Sequence, residues 1–373
     1  MLVAAQLLAF LLLPALLLRL CAGSRLGLWL SPVILAYVAG VLARNLGLPL
    51  RDDVTRGAVG AAVLLGIPLL LFPADFPGWL RRARTTALAC GLSFLAMLLA
   101  ACLSAPLFAR RAGQEGWLVA GLLVATFTGS TPNMVAVAHG LGASPGTLAL
   151  VTTTDFLVAG SFAFFLLSPG VRWLGRLLPP FPAAQGPAAP APPAEPHPRA
   201  RAALLTLGVA LPVAGLAGGL GLLAGEAAEL VAISVATGLG VLGSLLPAVR
   251  RLPWSWALGE WFILVFCIGF GTLVDVRALL ASTSSGWVLA WTAVVMLLGL
   301  ALHLGLCRLA GIDRDTAVVT AAAAIYGPPF IGPVTTNLGN RELLLSGITA
   351  ALAGMAVGTW LGVLAAWIAR ALG

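Results

Sequence analysis

One carboxylate in this chain stands well away from any loop: Asp155, in the stretch Val151-Thr152-Thr153-Thr154-Asp155-Phe156 near the centre of an apolar run. A charge in the middle of a hydrocarbon layer costs at least about 2.5 kcal/mol, so such a group must face a cavity, hold a cation or carry a proton. A lone buried carboxylate beside hydroxyls binds Na⁺ and H⁺ in competition, because both stabilise the same anion. A polar cluster precedes it: Ala125-Thr126-Phe127-Thr128-Gly129-Ser130-Thr131-Pro132-Asn133. Its oxygens suit a hard cation, and its amides suit an anionic group. The expected ion site is therefore Asp155, Thr128, Ser130, Asn133 and Thr154. The expected substrate site is Thr126, Gly129 and Thr131, joined by Tyr326, Gly327, Pro328 and Gly332 of a second interrupted stretch, Ile325-Tyr326-Gly327-Pro328-Pro329-Phe330-Ile331-Gly332-Pro333.

Other reactive types are less suggestive. Asp75 and Asp275 sit at run ends near basic residues (Arg81, Arg82, Arg84; Arg277) and read as interfacial caps. Glu260, His139 and His303 lie near the ends of their runs and read as interfacial or hydrogen-bonded. The five cysteines are scattered without metal-ligand spacing and read as packing residues. No His-Glu-x-x-His, Walker sequence or Gly-x-Ser-x-Gly elbow occurs, which argues against ATP-driven transport and common membrane-protease chemistry. The sequence predicts no enzyme, no metal centre and no organic cofactor; the coupling ion is Na⁺ or H⁺.

The elements that must position these residues follow from composition. Of 373 residues, 60% are hydrophobic and 9% charged, with mean hydropathy +1.03; soluble domains carry about 25% charge. A soluble enzyme is excluded. All 21 basic residues are arginines, and they sit between apolar runs, where they orient a chain in a bilayer rather than bind nucleic acid. At about 20 residues per crossing, twelve runs appear: 2–20, 27–44, 56–74, 85–109, 117–140, 146–168, 203–225, 229–248, 254–274, 286–309, 315–338 and 343–369. The first is expected to be a retained span, since it lacks a basic start and Leu20, not a small residue, precedes Cys21.

Residues 179–200 are rich in Pro and Ala and read as a linker. It divides a first membrane repeat (1–178) from a second (201–373). An offset near 198 residues places Gly113 on Gly311, Gly129 on Gly327, Gly142 on Gly339 and Gly160 on Gly358. The fifth and eleventh runs both carry Gly and Pro mid-segment. Proline deletes an amide donor and clashes with the preceding turn, and broken backbone is tolerated in a membrane only where it is buried or lines a wet cavity. Paired breaks in two halves point to the binding site of a secondary transporter. Arginine counting splits the loops fourteen to seven whether these two runs cross or re-enter. Both versions put the linker in the cytoplasm; the re-entrant one makes the repeats inverted. The expected fold is thus an all-α integral membrane protein with 10–12 transmembrane helices, in two repeats of about six segments.

At Gly129-Ser-Thr-Pro-Asn133-Met-Val-Ala-Val-Ala138, with Asp155 in the next helix, Gly327-Pro328 in the second half and the Gly354-x-x-x-Gly358-x-x-x-Gly362 tail, the chain resembles the bacterial membrane-protein family with the domain of unknown function 819. Most of the chain takes part. It departs from that family's pattern where Ser130 and Tyr326 replace glycines and Phe330 replaces a small polar residue. The resemblance implies a wider superfamily of cation:proton antiporters and anion:sodium symporters, built as inverted repeats with crossed or re-entrant broken helices, often as homodimers in membrane lipid. The resulting expectation is an ion-coupled secondary transporter of the inner membrane, carrying a small organic or amino-acid-like anion with Na⁺ or H⁺. The alternative is a Na⁺/H⁺ antiporter using Asp155 as its shared site.

Overall fold

The computed structural model describes residues 2–22, 32–73, 76–182, 200–225, 228–274 and 286–372. Asp75, Asp275, Arg199, Arg277 and residues 183–199 of the expected linker lie outside the described residues. Every one of the twelve apolar runs carries helix. The helices are α1 (Leu2–Ala22), α2 (Pro32–Asn45), α3 (Asp52–Leu71), α4 (Phe76–Phe108), α5 (Gly116–Gly129), α6 (Thr131–Leu141), α7 (Pro145–Leu167), α8 (Ala200–Leu223), α9 (Ala228–Leu245), α10 (Ser255–Thr272), α11 (Gly286–Leu309), α12 (Arg314–Tyr326), α13 (Ile331–Leu338) and α14 (Leu344–Leu372). Short single turns and 3₁₀ segments join some of them, and no strand occurs among the described residues.

Eight helices, α1, α3, α4, α7, α8, α10, α11 and α14, are long and apolar enough to cross a membrane. Apolar side chains ring most of them, as lipid-embedded helices require, so Leu8, Leu204, Leu222, Leu297 and Trp360 are exposed. The chain is a multi-pass membrane-type helical protein.

Helices sort by packing into two groups, each drawn from both halves of the sequence. In one, α10 packs on α2 and α3, and α9 on α3 and α8, with α1 alongside. In the other, α4 packs on α11, while α14 lies along α5, α4 and α12, with α7 against α11. The groups meet where α13 touches α10 and α7 touches α2. Tyr37 of α2 donates across this junction to the Gly160 carbonyl of α7 at 3.0 Å. Helix α14, with 29 residues, is about 43 Å long at 1.5 Å per residue. It is the spine against which both interrupted segments are built.

Candidate functional site

The fifth and eleventh runs are helical hairpins. In the first, α5 and α6 are joined at Ser130, and the chain doubles back. Glu115 before α5 accepts from the Ser144 amide at 3.1 Å and from its Oγ at 2.9 Å, so the two ends of the segment touch. Ser144 in turn caps α7 by accepting from the Thr147 amide. Ala125 and Val137, on opposite arms, both lie where a side chain at Gly362 would be. In the second, α12 runs to Tyr326, the chain turns through Gly327 and Pro328–Phe330, and α13 returns. Asn340 beyond α13 donates to Asp315 at the start of α12 at 3.0 Å. Val319 and Ile331, again on opposite arms, face the same Gly347.

The hairpins lie at opposite ends of α14. Trp117 at the base of the first packs on Trp367, with centroids 5.9 Å apart, whereas the second sits on Gly347 near the other end. Their tips meet in between. A Cβ on Gly327 would stand 3.6 Å from the Ser130 Cβ and Oγ. The two tip residues share a backbone conformation, Ser130 at φ 70°, ψ 176° and Gly327 at φ 75°, ψ −172°. The structural correspondence is therefore Ser130 with Gly327, one residue from the Gly129 pairing that the sequence offset gives. Gly142 and Gly339 both end the returning arms, at φ 71° and 69°.

The first hairpin reaches α14 closely because glycines line the contact. A Cβ on Gly354 would overlap the Thr128 carbonyl oxygen, and one on Gly358 would come within 2.8 Å of the Gly129 Cα. Asn133 Nδ2 donates to the Met355 carbonyl at 2.8 Å. This seam explains the glycine-spaced tail of the sequence.

Asp155 stands on α7 beside the first tip and is 7% exposed. Thr126 Oγ1 donates to its Oδ2 at 3.3 Å, and among the described residues no basic group pairs with it. A carboxylate so enclosed is stable only when protonated or joined by a cation.

The structure does not bring together the whole expected ion set. Thr128 Oγ1 is turned back to the Val124 carbonyl, Asn133 is tied to α14, and Thr154 meets Thr292 of α11 at 3.1 Å. Thr126, expected on the substrate side, is the hydroxyl at Asp155. Ser130 Oγ is buried without a hydrogen-bond partner at the meeting point of the tips, as a ligand-facing group would be. Thr131 opens α6; Pro132 has no amide and the Asn133 amide donates to the Ser130 carbonyl at 3.1 Å, so the Thr131 amide and the helix's partial positive charge face the tip.

On the second tip Pro328 and Pro329 offer no amide. Tyr326 donates to the Ala159 carbonyl of α7 at 2.6 Å and stacks on Phe330 at 4.3 Å, while Gly332 packs on Ile263 of α10. The second tip thus carries two prolines and the first tip one, Pro132. Sequence reasoning missed Glu115, Ser144, Asp315 and Asn340, which close the hairpins, and Thr292. It also missed that the chain's two tyrosines both donate to α7, one turn beyond Asp155. His303 is fully buried and bonded to the Ala317 carbonyl; Glu260 accepts from the Trp256 indole and Arg341.

No metal cluster is formed by His, Cys, Asp and Glu among the described residues, and the five cysteines are free. No curated protein matches the chain. The model of the family described as Protein of unknown function (DUF819) matches residues 9–372, nearly the whole chain, and the chain belongs to that family.

Proposed function

We propose that the protein is an ion-coupled secondary transporter that carries a small organic anion with Na⁺ or H⁺ by alternating access. The observation that carries this reading is the meeting of two hairpin tips beside Asp155, a buried carboxylate with one hydrogen bond. Hairpins whose ends close at Glu115–Ser144 and Asp315–Asn340 enter and leave on one face each. Lying at opposite ends of α14, they are re-entrant from opposite faces, and the two halves are inverted repeats with five crossings apiece. Arginine bias then puts both termini outside and the linker in the cytoplasm of an inner-membrane protein. This is the architecture of the cation:proton antiporter and anion:sodium symporter superfamily.

Asp155 and Thr126 bind the coupling ion. The orphan Ser130 hydroxyl and the α6 N-terminus bind the anionic group of the substrate. The helices around α14 move as one body against the group built on α3 and α10. A Na⁺/H⁺ antiporter is the second reading, favoured by the Tyr326–Phe330 stack and the two prolines, which leave the second tip without donors. Neither reading makes the chain an enzyme.

Thermal melting of the purified protein tests both, using small carboxylates with Na⁺ or choline at two pH values and Asp155→Asn alongside. Ligand at 100 times its Kd stabilises by about 2.7 kcal/mol. Carboxylate stabilisation that requires Na⁺ or low pH and disappears in the variant supports symport. Stabilisation by Na⁺ alone, weaker at low pH, selects the antiporter. A variant that responds like the native chain to every condition overturns the role of Asp155.

A further inference from the structure

Helix α7 accepts hydrogen bonds from Tyr37, Tyr326 and Asn337 along its second half, and another side of it lines a cavity. Between α7, α11 and α12 lies a cavity of about 630 Å³, within the roughly 300–1,000 Å³ range of small-ligand pockets. Of its fifteen lining residues only Ser161 carries a polar side chain, and that hydroxyl is spent on the Leu157 carbonyl. Water has no partners in such walls and does not fill them. It is open on one side, so the medium at its mouth decides what fills it. An apolar occupant is required.

The cavity opens sideways. Ser161 and Leu297, the latter 66% exposed, stand at its rim. Both belong to helices that cross the membrane, α7 and α11, so the mouth faces hydrocarbon rather than water. Acyl chains are the medium there. The contrast with the other hairpin is instructive: glycines 354, 358 and 362 let α14 close on α5 with no gap. Along α7 and α11, Leu157, Phe165, Leu300 and Leu304 line the cavity walls.

We propose that this cavity is the seat of one phospholipid acyl chain, entering sideways from the bilayer. The chain completes the wall between α7 and α11. Its inner end meets Phe162, whose ring stacks on Tyr326 of the second tip at 6.3 Å, and Val158, one turn from Asp155. The lipid thus braces the helix that carries the buried carboxylate. This inference rests on the membrane-spanning helices and not on the transport reading.

The test uses the full chain in nanodiscs whose phospholipid carries a diazirine midway along one acyl chain, with adducts mapped by peptide mass spectrometry after illumination. The expected result is several-fold more adduct on Leu157, Phe165, Ala293 and Leu297 than on the exposed leucines 204, 211 and 222 of α8. Ala293→Trp, which fills the cavity, should abolish that excess and leave α8 labelling unchanged. Leu297→Trp blocks the mouth from an exposed position and serves where Ala293→Trp does not fold. Equal labelling of both regions, or an excess that survives the blocking variant, overturns the proposal. So does labelling of the cavity by free diazirine-palmitate but not by the phospholipid, which would make it a site for a free amphiphile.

Discussion

Replacing Ser130 by glycine should stabilise the protein. Ser130 is at φ 70°, ψ 176°, a region occupied almost solely by glycine, and a side chain held there costs about 1–3 kcal/mol. Glycine would relieve that strain, and would remove a buried hydroxyl without a partner, itself worth about 1–3 kcal/mol when left unsatisfied. Against this stands the greater freedom of glycine in the unfolded chain, about 0.5–1 kcal/mol. The net expectation is a gain of roughly 1–5 kcal/mol. The reciprocal Gly327→Ser should destabilise by about 1–3 kcal/mol through conformation alone, because the nearest atoms to a new Cβ, those of Ser130, lie at an ordinary 3.6 Å. Thermal and denaturant unfolding of both variants in one detergent gives the two signs. A Ser130→Gly protein that melts below the native one refutes the strain argument. If it melts higher and also loses its response to ligand, the strain and the orphan hydroxyl are retained for binding, the usual exchange of stability for function.

Gly354→Leu should prevent the first hairpin from seating, since even a Cβ overlaps the Thr128 carbonyl; loss of a monodisperse folded species on size exclusion checks it, and overpacking of a milder Gly354→Ala should cost about 1–3 kcal/mol. Tyr37→Phe and Tyr326→Phe each delete one hydrogen bond to α7 and should each cost about 1 kcal/mol in unfolding measurements. Hydrogen bonds from Thr147 and Ser144 hold the Glu115 carboxyl below the usual glutamate range. Its contribution is complete above the ordinary glutamate pKa, near 4.3, and is lost as pH falls through the depressed value. The protection of amides at the hairpin base, taken relative to their intrinsic exchange rate at each pH, should therefore be unchanged between pH 8 and 6 and fall only in acid, with Glu115→Gln insensitive throughout.

The twelve apolar runs that carry the helices, their order and the two interruptions were legible in the sequence, because the length and hydropathy of a run are local properties that a bilayer enforces directly. Asp155 was legible for the same reason: a carboxylate in the middle of an apolar run needs an explanation wherever that run lies. The glycine tail was visible as a pattern, but not its partner, since close approach is a property of two surfaces.

The tertiary structure alone decided that the interrupted runs fold back on themselves. That fact depends on Glu115 reaching Ser144 and Asp315 reaching Asn340, pairs 29 and 25 residues apart whose chemistry is unremarkable in sequence. It also decided which hydroxyl meets Asp155. Thr126, Thr128 and Ser130 are near neighbours in the chain, yet helical rotation sends one to the carboxylate, one to its own backbone and one to the tip junction. The composition of a polar cluster says what ligands it can hold; only the packing of α5 against α7 and α14 assigns each oxygen its direction.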